Sequence, residues 1–216
     1  MADAKPQGIP VMLDVAGWRT LIVGGGAVAA RRAKALVEAG AVVTVVAPAF
    51  DDRLRTLPVE RLQASYDPTQ HPLAGYRLVV VATDDSPTNA LVAAELARLA
   101  DPPLCNRADE GDAGDITFMA NHQAGPLTLA VSTGGASAAA AGAIRDDLAG
   151  KLDPCWPGVL AEARDARQQI QQEIDDPAKR ADLLRRLTDT HTLDVYRAGG
   201  AVALRNHYRD IMQGSA

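Results

Sequence analysis

The chain has 216 residues, and its 27 acidic and 22 basic residues give a formal net charge of −5 at pH 7. The charges are mixed, without a run of roughly five or more of one sign, which argues against a nucleic-acid patch or an acidic tail. Cys105 and Cys155 are far apart and form no C-x-x-C motif, so neither a zinc or iron–sulfur site nor a disulfide framework is expected. Residues 1–10 lack the apolar core of a signal peptide, and no stretch reaches the ~18 apolar residues of a membrane span. We therefore expect a soluble, cytoplasmic protein with no nucleic-acid or membrane partner.

A strand, a glycine turn and a helix follow one another near the N-terminus, after a short predicted edge strand at Val11–Leu13. Thr20–Val23 is an apolar strand, and Gly24, Gly26 and Ala29 occupy the three spaced positions of a G-x-G-x-x-G/A fingerprint. The free N–H groups of the following helix would then face phosphates. This pattern predicts a Rossmann-type dinucleotide site, and the alternative is an ordinary βα turn that is rich in glycine. The predicted cofactor contacts in this segment are Gly24, Gly25, Gly26, Ala27 and Val28.

The second predicted strand, Val42–Ala47, ends without the residue that usually completes the fingerprint. A dinucleotide site of this type normally has an acid about 20 residues after the glycines, which holds the ribose 2′-hydroxyl. Here the strand is followed by Pro48 and Ala49, which we predict to contact the cofactor by their position. Arg53 is close enough in sequence to leave NADP open as the cofactor.

The rest of the first half continues the strand and helix rhythm. The predicted elements are a helix from Ala27 to Ala39 with Val28, Ala35, Leu36 and Ala39 facing the sheet, a short helix at Asp51–Leu57, strands at Val59–Ala64 and Arg77–Ala82, a helix at Asn89–Ala100 and a strand at Leu104–Asn106. The nearly all-apolar strand Arg77–Ala82 is typical of a parallel sheet covered on both faces. Thr83 and Asp84, which follow it, are predicted to approach the cofactor; alternatively Asp84, Asp85 or Ser86 only caps the next helix. The fold class is therefore α/β, with a Rossmann-type parallel-sheet domain over residues 1–112.

The character of the sequence changes beyond Asp109. After a loop at Gly111–Gly114, Pro126–Ser132 is predicted as an isolated strand, and an alanine-rich helix is predicted to run to Leu148 with Ser137 as its N-cap. The hydroxyls around the glycine pair, together with backbone N–H groups, could hold a substrate carboxylate, and helix capping alone is the alternative. The candidate substrate-binding residues are Ser132, Thr133, Gly134 and Ser137.

The last third of the chain is predicted to be helical. Apolar side chains recur at helical spacing from Pro154 onward, and Asp176–Pro177 is predicted as an N-cap followed by the first residue of another helix. The predicted division is thus residues 1–112, a second unit over 113–150 and a helical domain over 151–216.

Taken together, these motifs resemble the precorrin-2 dehydrogenase/sirohydrochlorin ferrochelatase family, the N-terminal module of siroheme synthase in its free-standing form. The matching segments, in family order, are Leu21–Ala33, Val43–Pro48, Ala82–Asp85 with Asn89, Cys105–Asn106 with Asp109, and Leu127–Ser137. The resemblance covers residues 9–150 strongly and the helical tail weakly. Ile116 and Met119 depart from the family pattern in the stretch that leads into the second unit.

The resemblance implies an NAD-dependent oxidation of precorrin-2 to sirohydrochlorin by a cytoplasmic homodimer, with residues 113–150 as a dimerisation and substrate element. It implies Asp109 as the catalytic residue, whereas from the residues alone Asp109 could equally close a turn. It leaves open whether ferrous iron is then inserted as a second substrate. Sirohydrochlorin carries eight carboxylates by this resemblance, and the candidate cations for them are Arg31, Arg32, Lys34, Arg107 and Arg145.

No resident metal site is expected, since none of the four histidines forms an H-x-x-H or H-E-x-x-H motif. A Ser–His–Asp hydrolase is not expected either, because no G-x-S-x-G elbow occurs. The alternative function from another class is a non-catalytic NAD-binding redox sensor that regulates a partner as a dimer.

Overall fold

The structure is a computed structural model that describes residues 8–108, 114–188 and 190–214. The chain divides into two compact units, one ending at Phe118 and the other beginning at Met119. Among the described residues, no helix combines the length and the apolar character needed to cross a membrane.

The described part of the first unit is built on a parallel sheet with the strand order β3-β2-β1-β4-β5. The strands are β1 Arg19–Val23, β2 Val42–Ala47, β3 Glu60–Gln63, β4 Leu78–Val81 and β5 Leu104–Arg107. All neighbouring pairs are parallel, and β4 is buried along its whole length, as its apolar sequence predicted. Successive strands run outward from β1 on one side and from β4 on the other. The carboxyl ends of β1 and β4 therefore form the switch point at which open α/β sheets bind ligands.

Helices cover both faces of this sheet and make two apolar cores. Helix α1, Ala27–Glu38, packs on one face with β1, β2 and β4, while α3, Ser86–Arg98, packs on the other face. A short helix α2, Asp52–Arg55, lies between β2 and β3. These elements confirm the predicted α/β class, although α3 begins three residues earlier than the sequence suggested because Asp85 caps it.

Two local predictions in this unit are wrong. Val11–Leu13 forms no strand, and its side chains are exposed, so no described residue of this unit supplies the burial that would fix them in a sheet. Helix α1 buries Ala29, Ala30, Ala33 and Leu36, whereas Ala35 and Ala39, predicted to face the sheet, are exposed. The glycine turn sets which face of the helix packs on the sheet. Because α1 has alanines on all sides, its sequence does not show which face is buried.

The second unit begins with a β-hairpin. β6, Ala120–Ala124, pairs antiparallel with β7, Leu127–Val131, through a turn at Gly125, where φ is +56°. The prediction that the second strand is isolated is therefore wrong. The first strand reads Ala-Asn-His-Gln-Ala, which carries no apolar alternation, and only its pairing defines it as a strand.

Four helices complete the second unit in the described residues. α4, Ala138–Lys151, packs on both strands of the hairpin, and α5, Trp156–Glu173, α6, Pro177–Arg186, and α7, Thr190–Gln213, form a separate apolar core. α7 is interrupted at Gly200, which has φ +62°. As predicted, the Asp176 side chain accepts a hydrogen bond from the Ala178 N–H, with Pro177 in the first turn of α6.

Candidate functional site

The glycine turn lies at the carboxyl end of β1, between the loops that follow β2 and β4. The Gly24 N–H donates to the Val46 carbonyl, and φ at Gly24 is +121°. A Cβ on Gly24 would lie 2.3 Å from the Ala82 oxygen, and one on Gly25 would lie 1.9 Å from the Ala49 oxygen. Neither position can hold a side chain while the two neighbouring loops stay in place.

Gly26 differs from its neighbours because it faces open space. Among the described residues, a Cβ there would meet no atom within 4 Å, and no side chain caps the start of α1. The first N–H groups of the helix, those of Ala27 and Val28, are therefore available to an anion, and Ala29 packs with no exposed surface against the sheet. Uncapped N–H groups beside empty space above a glycine fit the pyrophosphate of a dinucleotide.

The loop after β2 is tied to this turn. The Asp51 N–H donates to the Gly25 carbonyl over 2.8 Å, which holds Pro48 and Ala49 against the glycines. The Asp51 carboxylate caps α2 by accepting from the Arg53 N–H, and it also binds the Arg53 guanidinium through Nε and Nη2, each at 2.8 Å. These hydrogen bonds, the side-chain ones above all, lower the pKa of Asp51 to about 2 and raise that of Arg53.

Sequence reasoning missed Asp51 as a group at the cofactor edge. The ribose-binding acid was expected directly at the end of β2, whereas Asp51 lies four residues beyond Ala47. The hydrogen bond from its backbone N–H to the Gly25 carbonyl places it next to the glycine turn. The available signal was the pair of residues Asp51 and Arg53, with opposite charge and close spacing, in a loop that follows a fingerprint strand.

Thr83 and Asp84 lie in the loop after β4, next to the glycine turn, since the Ala82 N–H donates to the Val23 carbonyl. The Thr83 hydroxyl accepts from the Asp85 N–H, and Asp85 caps α3 by accepting from Thr88, which lowers the pKa of Asp85. The capping alternative thus applies to Asp85, while Asp84 is exposed at the edge of the sheet.

The end of β5 reaches the same edge beside β4. The Ala108 N–H donates to the Val81 carbonyl, and Asp109, the predicted catalytic residue, follows immediately but lies outside the described residues. Asn106 is buried; its Nδ2 donates to the Ile116 carbonyl, and its Oδ1 has no partner among the described residues. Asn106 is therefore a polar group at this edge to which the sequence analysis assigned no role.

The second predicted group lies in the other unit, in the turn between β7 and α4. The Thr133 hydroxyl accepts from the Ser137 N–H and donates to the Ser137 carbonyl, and the Ser132 hydroxyl accepts from the Gly134 N–H. Ser137 caps α4 by accepting from the Ala140 N–H at 3.1 Å, as predicted. The hydroxyls hold the loop in shape, with positive φ at Gly134 and Gly135.

The predicted cations have different surroundings. Arg32 stacks over the Phe118 ring at 4.3 Å, and burial, followed by the charge of Arg31, lowers its pKa to about 10. Arg145 pairs with Asp146, whereas Arg31 and Lys34 line a groove beside α2. Among the described residues, no group of three or more His, Cys, Asp or Glu side chains is arranged to hold a metal.

The fold and this sheet edge define an α/β protein with a dinucleotide-binding site. A family model described as putative NAD(P)-binding matches residues 11–120. A precorrin-2 dehydrogenase of Priestia megaterium is 31% identical over 193 residues, covering 87% of this chain and 90% of that protein. The chain thus belongs to the precorrin-2 dehydrogenase family, and its cofactor is NAD.

Two further comparisons agree with this assignment. The solved structure of SirC, a precorrin-2 dehydrogenase, superposes with a TM-score of 0.78 at 28% identity, covering 95% of this chain and 100% of that one. A siroheme synthase of Methylococcus capsulatus is 35% identical over 187 residues, covering 80% of this chain. The match takes in only 36% of that siroheme synthase, so the chain corresponds to about a third of such a protein.

Proposed function

We propose that this protein oxidises precorrin-2 to sirohydrochlorin with NAD, in the biosynthesis of siroheme. The observation that carries the proposal is the cradle formed by Gly24, Gly25 and Gly26 at the switch point of the sheet. The match to a precorrin-2 dehydrogenase, which covers 90% of that protein, supports it. The uncapped start of α1 would hold the pyrophosphate, and the loops at Pro48–Ala49 and Thr83–Asp84 would flank the rest of the cofactor.

When bound, the dinucleotide supplies the electron acceptor of the oxidation. The substrate must also lose a proton, so a base has to stand beside the reacting carbon. We assign this role to Asp109, because it follows Ala108 directly in the sequence and the Ala108 N–H donates to Val81 at the carboxyl edge of the sheet, where α/β folds of this kind build their sites.

Binding of the substrate needs groups that attract its carboxylates in a chain of net negative charge. We assign this role to the turn at Ser132, Thr133, Gly134 and Ser137, because its internal hydrogen bonds fix the shape of the backbone that leads into the N-terminus of α4. The hydroxyls, which are already bonded within the turn, would act chiefly by holding that backbone in place.

We further propose that the protein works as a cytoplasmic homodimer. α4 leaves Ile144 and Leu148 exposed by 44% and 40%, and only Ala141 of this helix is buried. A second copy would remove such apolar surface from water. Both cysteines are free thiols, which suits a reducing compartment. Sedimentation of the unmodified protein and of the variants Ile144→Glu and Leu148→Glu tests the dimer. A dimer for the unmodified protein together with a monomer for each variant would support the proposal.

The activity is tested by anaerobic absorbance of the purified protein with precorrin-2 and NAD, following NADH and sirohydrochlorin. We expect turnover that falls about 100-fold or more in Asp109→Asn, because a general base is lost. The exposed Asp101→Asn is the matched control and should keep full turnover. Turnover that survives in Asp109→Asn would remove Asp109 from the mechanism.

Two other outcomes decide the alternatives. NAD binding without turnover in the unmodified protein would contradict the enzymatic function and favour the redox sensor. Ferrous iron added in a second stage tests whether the metal is also a substrate. Formation of siroheme faster than in a protein-free control would add the ferrochelatase step, and an equal rate would limit the protein to dehydrogenation.

A further inference from the structure

One of the three cations on α1 differs from the others in its surroundings. Arg32 is half-buried, and its guanidinium lies over the Phe118 ring, with 4.3 Å between Cζ and the ring centroid. Arg31 and Lys34, on the same helix, are exposed. Arg32 is therefore the cation of α1 that the fold takes partly out of water and holds against a fixed neighbour.

No carboxylate among the described residues balances this charge. Arg32 makes no ion pair with them, and its buried Nε has no hydrogen-bond acceptor. Burial, followed by the charge of Arg31, lowers the pKa of the guanidinium to about 10, so it still carries its charge at neutral pH. Arg53 differs, because the Asp51 carboxylate binds it and raises its pKa. A partly desolvated charge without a counter-ion is unfavourable, and an anion bound beside Arg32 would relieve it.

The contact with Phe118 orients the guanidinium and leaves its donors available. Attraction between a cation and the face of an aromatic ring uses the positive charge and requires no hydrogen-bond donor. The N–H groups of Arg32 make no hydrogen bond with a described residue. A carboxylate can accept two hydrogen bonds from neighbouring N–H groups of one guanidinium, which a lysine cannot offer in the same fixed geometry.

The Phe118 ring is part of a segment that is fixed to the sheet. The Ile116 N–H donates to the Cys105 carbonyl over 3.2 Å, and Nδ2 of the buried Asn106 donates to the Ile116 carbonyl over 2.9 Å. Ile116 and Phe118 also pack on the apolar core that lies beneath α1. These contacts hold the segment that follows β5 in place, so Arg32 rests on a ring that belongs to the packed structure.

The side of α1 on which Arg32 lies indicates which anion it can meet. Arg31 and Lys34 line the groove beside α2, whereas Arg32 contacts the segment after β5. In a Rossmann site the adenosine ribose lies at the end of β2, so the nicotinamide lies on the other side, towards β4 and β5. Side chains of a helix lean towards its N-terminus, and for α1 that end is at the carboxyl edge of the sheet. Arg32 is thus on the side where a substrate would meet the nicotinamide.

We propose that Arg32 binds a carboxylate of the tetrapyrrole substrate. The other candidate cations for which the structure gives a partner are less suited: Arg145 is bound by the Asp146 carboxylate at 2.6 Å, and Lys34 is exposed beside Glu38. The inference rests on the proposed function, since it takes the substrate to be a macrocycle with several carboxylates. It adds the residue that recognises one of them.

The test is anaerobic binding of sirohydrochlorin, the proposed product, to the protein saturated with NAD, followed by absorbance, with calorimetry of NAD alone in parallel. Arg32→Gln removes the charge, and we expect the dissociation constant of sirohydrochlorin to rise about 10-fold while that of NAD stays within about 2-fold. Arg32→Lys keeps the charge but loses the paired donors, so the rise should be about 3-fold. In turnover of precorrin-2, KM should rise in the same order and kcat should change little.

Arg98→Gln is the matched control, because Arg98 is an exposed arginine in the last turn of α3, at the edge of the sheet away from the glycine turn. It should keep both affinities. Unchanged binding of sirohydrochlorin in Arg32→Gln, or an equal loss in Arg98→Gln, would overturn the inference. A parallel loss of NAD affinity in Arg32→Gln would also overturn it, because Arg32 would then support the dinucleotide site. Failure of the unmodified protein to bind sirohydrochlorin would instead overturn the proposed function.

Discussion

The carbonyl oxygen of Ala49 occupies the space that a side chain on Gly25 would need, with only 1.9 Å between the oxygen and a Cβ placed there. The same loop is bonded to Gly25 through the Asp51 N–H. The glycine is thus required by the close approach of two backbone segments. This contact aligns the start of α1 with the end of β2, which a dinucleotide must span.

Gly25→Ala should therefore lose NAD binding because it disturbs the folded structure. The Cβ has to displace backbone, so we expect a loss of stability of about 3 kcal/mol, at the upper end of overpacking changes. The loop that contains Pro48 and Ala49 would move, and NAD binding should be lost as well. Urea unfolding followed by absorbance, with calorimetry for NAD, measures both. A stable variant that still binds NAD would contradict the geometry.

Gly26→Ala should weaken NAD binding without disturbing the folded structure. φ at Gly26 is −83°, which alanine can adopt, and its Cβ would meet no atom within 4 Å, so the stability should change by less than about 1 kcal/mol. The methyl group would fill the space assigned to the pyrophosphate, and NAD affinity should fall at least 10-fold. Unchanged NAD affinity with unchanged stability would show that the phosphates lie elsewhere.

Ser137 has a structural role that can be separated from any contact with substrate. Its hydroxyl caps α4, so Ser137→Ala should cost about 1 kcal/mol, whereas Ser137→Asn keeps a capping acceptor and should cost little. Turnover of precorrin-2 compared at equal folded fractions then isolates the chemical role. Full activity in Ser137→Asn would mean that Ser137 contributes only by capping α4. A raised KM in both variants would mean that the hydroxyl also contacts the substrate.

The helical core of the second unit depends on a missing side chain in α5. A Cβ on Gly158 would lie 2.0 Å from the Tyr196 hydroxyl and 2.3 Å from Cζ of the same ring. Gly158→Ala should destabilise the protein by about 2 kcal/mol, and Tyr196→Ala in the same chain should cancel the clash. Denaturant unfolding of the two single variants and the double variant measures the coupling. Additive losses would show that the ring moves aside freely.

The elements that the sequence predicted well are those whose signals are local. Val42–Ala47 was predicted at its observed bounds because a run of branched apolar residues between Gly40 and Pro48 permits little else. The fingerprint at Gly24, Gly26 and Ala29 predicted the strand, turn and helix because each glycine meets a steric demand of that unit. Capping residues such as Asp176 and Ser137 were predictable for the same reason, since they act within one turn of the chain.

The sequence by itself determined the α/β class, the switch-point turn and the caps at Ser137 and Asp176, because sterics and hydrogen bonds within a few residues fix them. Only the tertiary structure decided the rotation of α1 on the sheet, the strand status of β6, and the return of Asp51 to Gly25 with Arg53 beside the groove. Each of these depends on a partner distant in the sequence. Such partners are selected by the burial and hydrogen bonding of the whole unit, which no local pattern records.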